Sequence, residues 1–384
     1  MKKIKSILKS FLKSKLIGKI RTPFVKNMNL DLTRKQKRVL ISYIDYFSTR
    51  NFYEGIRHTN LPESVQIINV FKEMDYIIDV VHCNAVESFK YFEKEKYDVI
   101  FGFGEIFYQI SKINMDAKKI MYVTENHPEL SYKNELERNK YFHKRTGKKI
   151  PLRRTGVFYK NEHFENIDAT IVLGEKSPFK KYDIALYNIF PTGLINEKYK
   201  LEKRDYENSK KNFLWLGSNG AIHKGLDLLI EVFSKYPELT LHICGFNPEE
   251  TYLKIPKLKN IIDYGRIDIK GENFLELAKK CSYIILPSCS EGFSTSIATG
   301  MLHSLIPIVC KDTGFNRLGE YAIYLEDYKI EYIENEILNL TRKDGELLEE
   351  KHQAIYYFSR DNFTLNKFTE NFRNILREIL NEEK

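Results

Sequence analysis

Twice along this chain, short β-rich apolar runs alternate with amphipathic stretches, and that alternation constrains the fold more than any other feature. In the first series, residues 39–44, 76–81, 99–103, 120–123 and 169–173 read as buried strands, with a helix over 63–74. A charged, aromatic stretch near 196–212 interrupts the pattern. The second series has strands at 213–216, 240–244, 261–264, 283–287 and 307–310, with a helix over about 224–234. Strands that alternate with helices form parallel sheets through right-handed crossovers. A chain of 384 residues is long enough for two such domains. The expected division is an arm at 1–35, a first doubly wound α/β domain at 36–195, and a second at 196–361. A last helix over 362–384, with Phe368, Phe372, Ile375 and Ile379 on one side, is expected to return toward the first domain.

The net charge of +9 is unevenly placed, because residues 1–40 hold thirteen Lys/Arg against the single acid Asp31. Ile4, Ile7, Leu8, Phe11, Leu12, Leu16 and Ile20 recur there at roughly helical spacing between lysines. A basic amphipathic helix suits an anionic membrane surface, by apolar burial plus Coulomb attraction, and residues 1–27 are the expected contact. A helix docked on its own protein is the alternative. The arm has neither an apolar run of about 20 residues nor a signal-peptide core and cleavage site. The expected location is therefore cytoplasmic, on the inner face of the membrane. A nucleic-acid binder usually carries its charge on the folded domain, and none is expected as partner. Five scattered cysteines (Cys83, Cys244, Cys281, Cys289, Cys310) with no C-x-x-C fit a reducing compartment and no thiolate zinc site.

Two segments could carry chemistry. In LGSNGAIHKGLD, residues 216–227, a strand runs into a glycine-containing turn and then a helix. Backbone N–H groups at such a turn, with Lys224, suit a phosphate-bearing ligand, although an ordinary strand–helix turn looks the same. In PSCSEGFS, residues 287–294, a strand ends at Pro287 and the hydroxyls of Ser294, Thr295 and Ser296 open a helix. Glu291 can accept hydrogen bonds from sugar hydroxyls, and the helix start can hold a pyrophosphate. In the first half, YVTENHP at 122–128 follows a strand, so His127, with Glu125 in reserve, is placed where a crevice residue belongs. Lys144, Arg145, Lys148, Lys149, Arg153 and Arg154, preceded by Tyr141, Phe142 and His143, form a basic segment: either an acceptor contact or a solvated loop. No G-x-G-x-x-G, P-loop, D-x-D, G-x-S-x-G or H-E-x-x-H occurs, and His82, Cys83 and His303 lack partners at ligand spacing, so no metal and no cofactor are expected.

Taken together, the segments at 216–227, 287–294 and 122–128 resemble the GT-B glycosyltransferases, and within them the family 4-like bacterial enzymes of surface-glycan synthesis, over roughly 36–360. The resemblance implies two Rossmann-like domains facing each other across a cleft. It also implies a metal-independent, retaining transfer from a nucleotide-diphosphate sugar. By resemblance Lys224 contacts the donor phosphates, Glu291 the donor sugar, and Gly292, Phe293, Ser294 and Thr295 lie against sugar and pyrophosphate. Gly217, Ser218, His223 and Thr299 complete the donor site, with His127 catalytic beside Glu291 and Lys224. Two positions depart from the family pattern: its ribose-binding Glu is here Thr299, and its phosphate-binding Arg is Ser218. The departures leave two alternatives open beside the transferase, a sugar-nucleotide epimerase and a non-catalytic scaffold of a glycan-assembly complex.

Overall fold

A computed structural model describes residues 24–44, 60–153, 159–311 and 313–381. The expected basic helix at 1–23 lies outside the described residues, as does Arg154.

The first domain is built on β1 (Phe24–Met28), β2 (Arg38–Tyr43), β3 (Ile77–His82), β4 (Val99–Gly102), β5 (Lys118–Val123), β6 (Ala169–Val172) and β7 (Ala185–Asn188). Their order in the sheet is β1-β3-β2-β4-β5-β6-β7. All pairs are parallel except β1, which runs antiparallel to β3 with Phe24 opposite Val81. Helices α1 (Asn60–Glu73), α2 (Gly104–Ile113) and α3 (Pro128–Thr146) accompany it. Strand β1 corrects the expected arm boundary at 35. Past Pro23 the helical spacing stops, and Phe24 packs its ring 4.8 Å from Tyr91 and 5.3 Å from Phe92.

The second domain holds β8 (Asn212–Leu216), β9 (Thr240–Cys244), β10 (Ile261–Asp263), β11 (Tyr283–Leu286), β12 (Ile306–Cys310) and β13 (Ile323–Leu325). The sheet is parallel throughout, in the order β10-β9-β8-β11-β12-β13. Its helices are α4 (Leu226–Phe233), α5 (Glu272–Lys280), α6 (Thr295–Leu302), α7 (Ile330–Thr341) and α8 (Gly345–Asn362). Strand order reverses between β8 and β11, and at such a switch point the loops at the carboxyl ends diverge and leave a crevice. The turn after β8 and the loop after β11 are the two segments singled out from sequence.

The chain crosses between domains at 189–196 and again near 363. Glu63 of α1 is buried and accepts hydrogen bonds from the Thr192 N–H (2.6 Å) and hydroxyl (2.9 Å). Burial pushes its carboxyl up to about 7 against the pull of those bonds. Gly193 N–H donates to Phe363 O (3.0 Å), joining the two crossings. The last helix, α9 (Leu365–Leu380), lies on the first domain. There Phe372 packs 5.5 Å from Phe101 and 6.4 Å from Phe71, and Arg373 pairs with Glu73 at 2.7 Å.

Helix α3 is the main bridge to the second domain. The basic segment read from sequence as a loop or acceptor contact begins in the last turn of this helix, with Lys144 and Arg145, and continues past Gly147. Arg145 pairs with Asp227 and Glu231 of α4, and Lys148 donates to Tyr252 O (3.1 Å). Arg138 is fully buried and donates to Ile222 O (3.1 Å) and Pro287 O (2.9 Å), with its guanidinium over the Tyr328 ring. From the other side Arg317 donates to Leu173 O and Ile189 O, both at 3.0 Å. Gly292 is where the backbones of the two domains meet, since a Cβ there would lie 2.2 Å from Thr124 O. Replacing Arg138 by Met removes a buried cation and strands two carbonyls, a class of change that costs about 3–5 kcal/mol. Chemical denaturation of Arg138→Met should show the loss as a lowered midpoint, whereas replacing exposed Lys144 should move it little.

Candidate active site

The turn after β8 is folded back on its own strand. Trp215, fully buried, donates its indole N–H to Lys224 O (3.2 Å), which sets the length of the loop. Gly225 then enters α4 at φ 70°, with the Pro287 carbonyl where a Cβ would go, so only glycine fits there. This packing brings the two sequence-predicted charges together. Lys224 Nζ lies 2.6 Å from Glu291 Oε1, and both side chains are 7% exposed. The same oxygen accepts the Ser288 hydroxyl at 2.9 Å, and Glu291 N–H donates to Thr313 O at 3.1 Å. A lysine and a carboxylate thus stand at the switch-point crevice of the second domain, beside Gly292 and the Thr124–Glu125 backbone of the first. The end of β5 is itself held, since Thr124 N–H donates to the Tyr159 hydroxyl (2.9 Å).

Other expected site residues serve the scaffold. His223 is buried; its Nε2–H donates to Ser290 O (2.6 Å) and its Nδ1 faces the Cys289 thiol at 3.3 Å. Burial pushes that thiol up to about 12, so it remains a neutral donor. Phe293, expected against the sugar, packs its ring against Phe190, Phe315 and Phe363 at 5.2–5.6 Å. Thr299, the expected ribose partner, is buried. Its hydroxyl donates to Thr295 O (2.8 Å) and accepts Leu194 N–H (3.0 Å), the first of these being the usual back-bond of a helical threonine. Ser218 is exposed and Gly217 half-buried on the crevice side, Ser294 caps α6 with its hydroxyl 2.8 Å from Ser296 Oγ, and Thr295 is the first residue of α6.

His127, the expected catalytic residue of the first domain, is 1% exposed. It is the N-cap of α3, its Nδ1 accepting Glu129 N–H (3.3 Å), while Nε2 meets the Tyr182 hydroxyl at 3.0 Å. Phe164, Phe179 and Tyr182 surround the ring at 5.3–5.9 Å. Burial, helped by the Lys181 ammonium, pushes its pKa down to about 4. The position after a strand and before a proline is that of a helix cap as much as of a crevice residue, and the sequence carries no signal that separates them.

Sequence reasoning missed Glu250, and it singled out Arg153 without this partner. The N–H groups of Gly220 and Ala221, expected to be open to a phosphate, both donate to the buried Glu250 carboxylate, Ala221 at 2.9 Å. Arg153, from the segment after α3, lies 3.0 Å from the same carboxylate. Partners 29–97 residues apart leave no local pattern to find. A cavity of about 570 Å³ lies apart, at the end of β10 beside α5, lined by Tyr264, Arg266, Asp268, Glu272, Glu276 and Lys280 among others. Among the described residues no three His, Cys, Asp or Glu are grouped to hold a metal, and no helix is long and apolar enough to cross a membrane.

Neutral buried histidines give the fold a pH dependence. Because the His127 pKa falls below its ordinary 6.5 on folding, its contribution is complete above pH 6.5 and is lost as pH falls toward 4. His242 and His303, at about 4, and His352, at about 3, act in the same direction, all through burial. Urea midpoints taken at pH 7.5, 5.5 and 4.5 should fall, and the fall should be smaller in His127→Asn, which keeps a capping side chain without the titration.

Known proteins were compared with this chain. The family described as Glycosyl transferases group 1 matches residues 210–343, from just before β8 into the turn after α7. No curated protein matches the sequence. Among solved structures, sucrose-phosphate synthase from Thermosynechococcus elongatus aligns with a TM-score of 0.64 at 12% identity, over 91% of this chain and 100% of that one. Anabaena Alr3699/HepE, solved with UDP and glucose, aligns with a TM-score of 0.59 at 13% identity, over 90% and 100%. The pneumococcal O-GlcNAc transferase GtfA, in complex with UDP and GlcNAc, gives 0.51 at 16% identity, over 77% and 59%. The likeness to these structures shows the two-domain GT-B fold, and the Glycosyl transferases group 1 model matches the second domain alone, over residues 210–343.

Proposed function

We propose that the protein transfers a sugar from a nucleotide-diphosphate donor to a hydroxyl of a growing surface glycan or lipid-linked acceptor. The transfer retains configuration and uses no metal. The observation that carries this reading is the buried Lys224–Glu291 pair at the switch point of the second domain. UDP is the first nucleotide to test, because the structures of HepE and GtfA contain it. In this reading the departing diphosphate gains negative charge in the transition state, and Lys224 exchanges part of its bond to Glu291 for that charge. Glu291, relieved of the lysine, accepts hydrogen bonds from the donor sugar. Closure of the two domains over the donor keeps out water that would otherwise hydrolyse it. The departing phosphate takes the acceptor proton, so the reaction needs no dedicated base. With the His127 ring committed to its aromatic cluster, Glu125 at the end of β5 is the first-domain side chain assigned to the acceptor.

A cytoplasmic, membrane-apposed location, with residues 1–27 against anionic lipid, belongs to the same reading. So does the absence of a nucleic-acid partner. The scaffold alternative has one observation in its favour: the Thr299 hydroxyl and the Gly220 and Ala221 N–H groups are already bonded within the chain. The two readings part at nucleotide binding. A thermal-shift titration with UDP, GDP and CDP should raise the melting temperature for one of them, as ligand at about 100 times its dissociation constant adds about 2.7 kcal/mol. Lys224→Ala should lose that shift while remaining folded. No shift for any nucleotide at millimolar concentration would select the scaffold.

A further inference from the structure

The turn after β8 already holds an anion. Its positive-φ residue Gly220 points two successive N–H groups, its own and that of Ala221, to one side, the arrangement that forms an anion-binding concavity. Both donate to the carboxylate of Glu250, which is 5% exposed. The third partner of that carboxylate comes from the other domain: Arg153 Nη1 lies 3.0 Å from Glu250 Oε1, and the Arg153 backbone N–H is itself held by buried Glu135 at 2.8 Å. Two N–H donors and a guanidinium around two oxygens are the partners that a phosphate group would take. The neighbouring position 218, where the resemblance calls for a phosphate-binding arginine, carries a serine instead.

We propose that Gly220 N–H, Ala221 N–H and Arg153 form an anion cradle that Glu250 fills in the unliganded protein, and that the diphosphate of the donor takes it over by displacing the carboxylate. The cation missing at Ser218 is thereby supplied from the facing domain. Glu250 acts as an internal competitor that keeps the cradle paired until a donor enters. The inference rests on the donor-site reading above and adds to it a gate and a second cation, neither of which the Lys224–Glu291 pair requires.

Removing the competitor should tighten anion binding, and removing the guanidinium as well should undo the gain. Dissociation constants for UDP and for inorganic pyrophosphate, measured by calorimetry on the full chain, test both; pyrophosphate reads the cradle whatever base the donor carries. Glu250→Gln keeps the shape but turns an amide N–H toward the backbone donors, and Glu250→Ala empties the cradle. Each should bind at least tenfold more tightly than wild type, and Glu250→Ala/Arg153→Met should fall back to the wild-type value or weaker. Ligand-free melting curves establish that each variant is folded. If the alanine variants do not fold, Glu250→Gln and Glu250→Gln/Arg153→Met carry the same comparison. Affinities within twofold of wild type in folded Glu250 variants, with binding still abolished by Lys224→Ala, would overturn the cradle and leave the donor site standing. Absence of binding by any variant would overturn both.

Discussion

Arg138 sends a guanidinium from α3 into the second domain, where it hydrogen-bonds Ile222 O and Pro287 O. Those carbonyls belong to the two segments that carry Lys224 and Glu291. One buried cation of the first domain therefore sets the spacing of both site loops in the second. Carbonyl dipoles, the nearby Asp227 carboxylate and the Tyr328 ring compensate its desolvation. Around it the interface is polar: Asn134 donates to Cys289 O and Ser131 meets Ser290. Close backbone approach at Gly292 follows from this docking, and with it the juxtaposition of Glu291 with the end of β5.

The unliganded site is internally paired. Lys224 binds Glu291, the turn N–H groups bind Glu250, and the Thr299 hydroxyl is spent on backbone. Burial of these side chains demands this, because a buried donor or acceptor left without a partner costs about 1–3 kcal/mol and a buried charge more. Ligand entry then becomes an exchange of partners. Each intramolecular bond given up is matched by a bond to the ligand, so net affinity is set by differences between similar interactions.

Much of the architecture was legible because its strands are buried on both faces. Runs such as VLISYI, ATIVL and YIILP stand out as continuous apolar segments, and the observed strands coincide with them to within a residue or two. Elements at the margins were not legible. Strand β1 (FVKNM) and strand β7 (ALYN) lie at sheet edges and are half-exposed, so neither shows a buried run. Helix α3 reads as a charge run because its buried face is Ser131, Glu135, Arg138 and Phe142: three polar residues of four, of which Ser131 and Arg138 bond to the second domain instead of an apolar core. The site was legible to the same extent and no further. Local motifs placed Lys224 and Glu291 on two loops that the fold brings together, while His127 and Phe293 are packed among aromatic side chains.

What the sequence by itself determined is the set of local structures: two series of parallel-type strands, the glycine turn at 217–225, and the Glu291 loop ahead of a helix. These follow from periodicity, burial and φ preference, which act over a few residues. Tertiary structure decided which groups face one another. That Lys224 meets Glu291, that Glu250 fills the turn at Gly220, and that Arg153 and Arg138 reach across from the first domain depend on contacts between residues 29–149 positions apart. Such contacts are selected by the docking of whole domains, where the desolvation of each charge must find its compensation, and no local pattern in the chain encodes them.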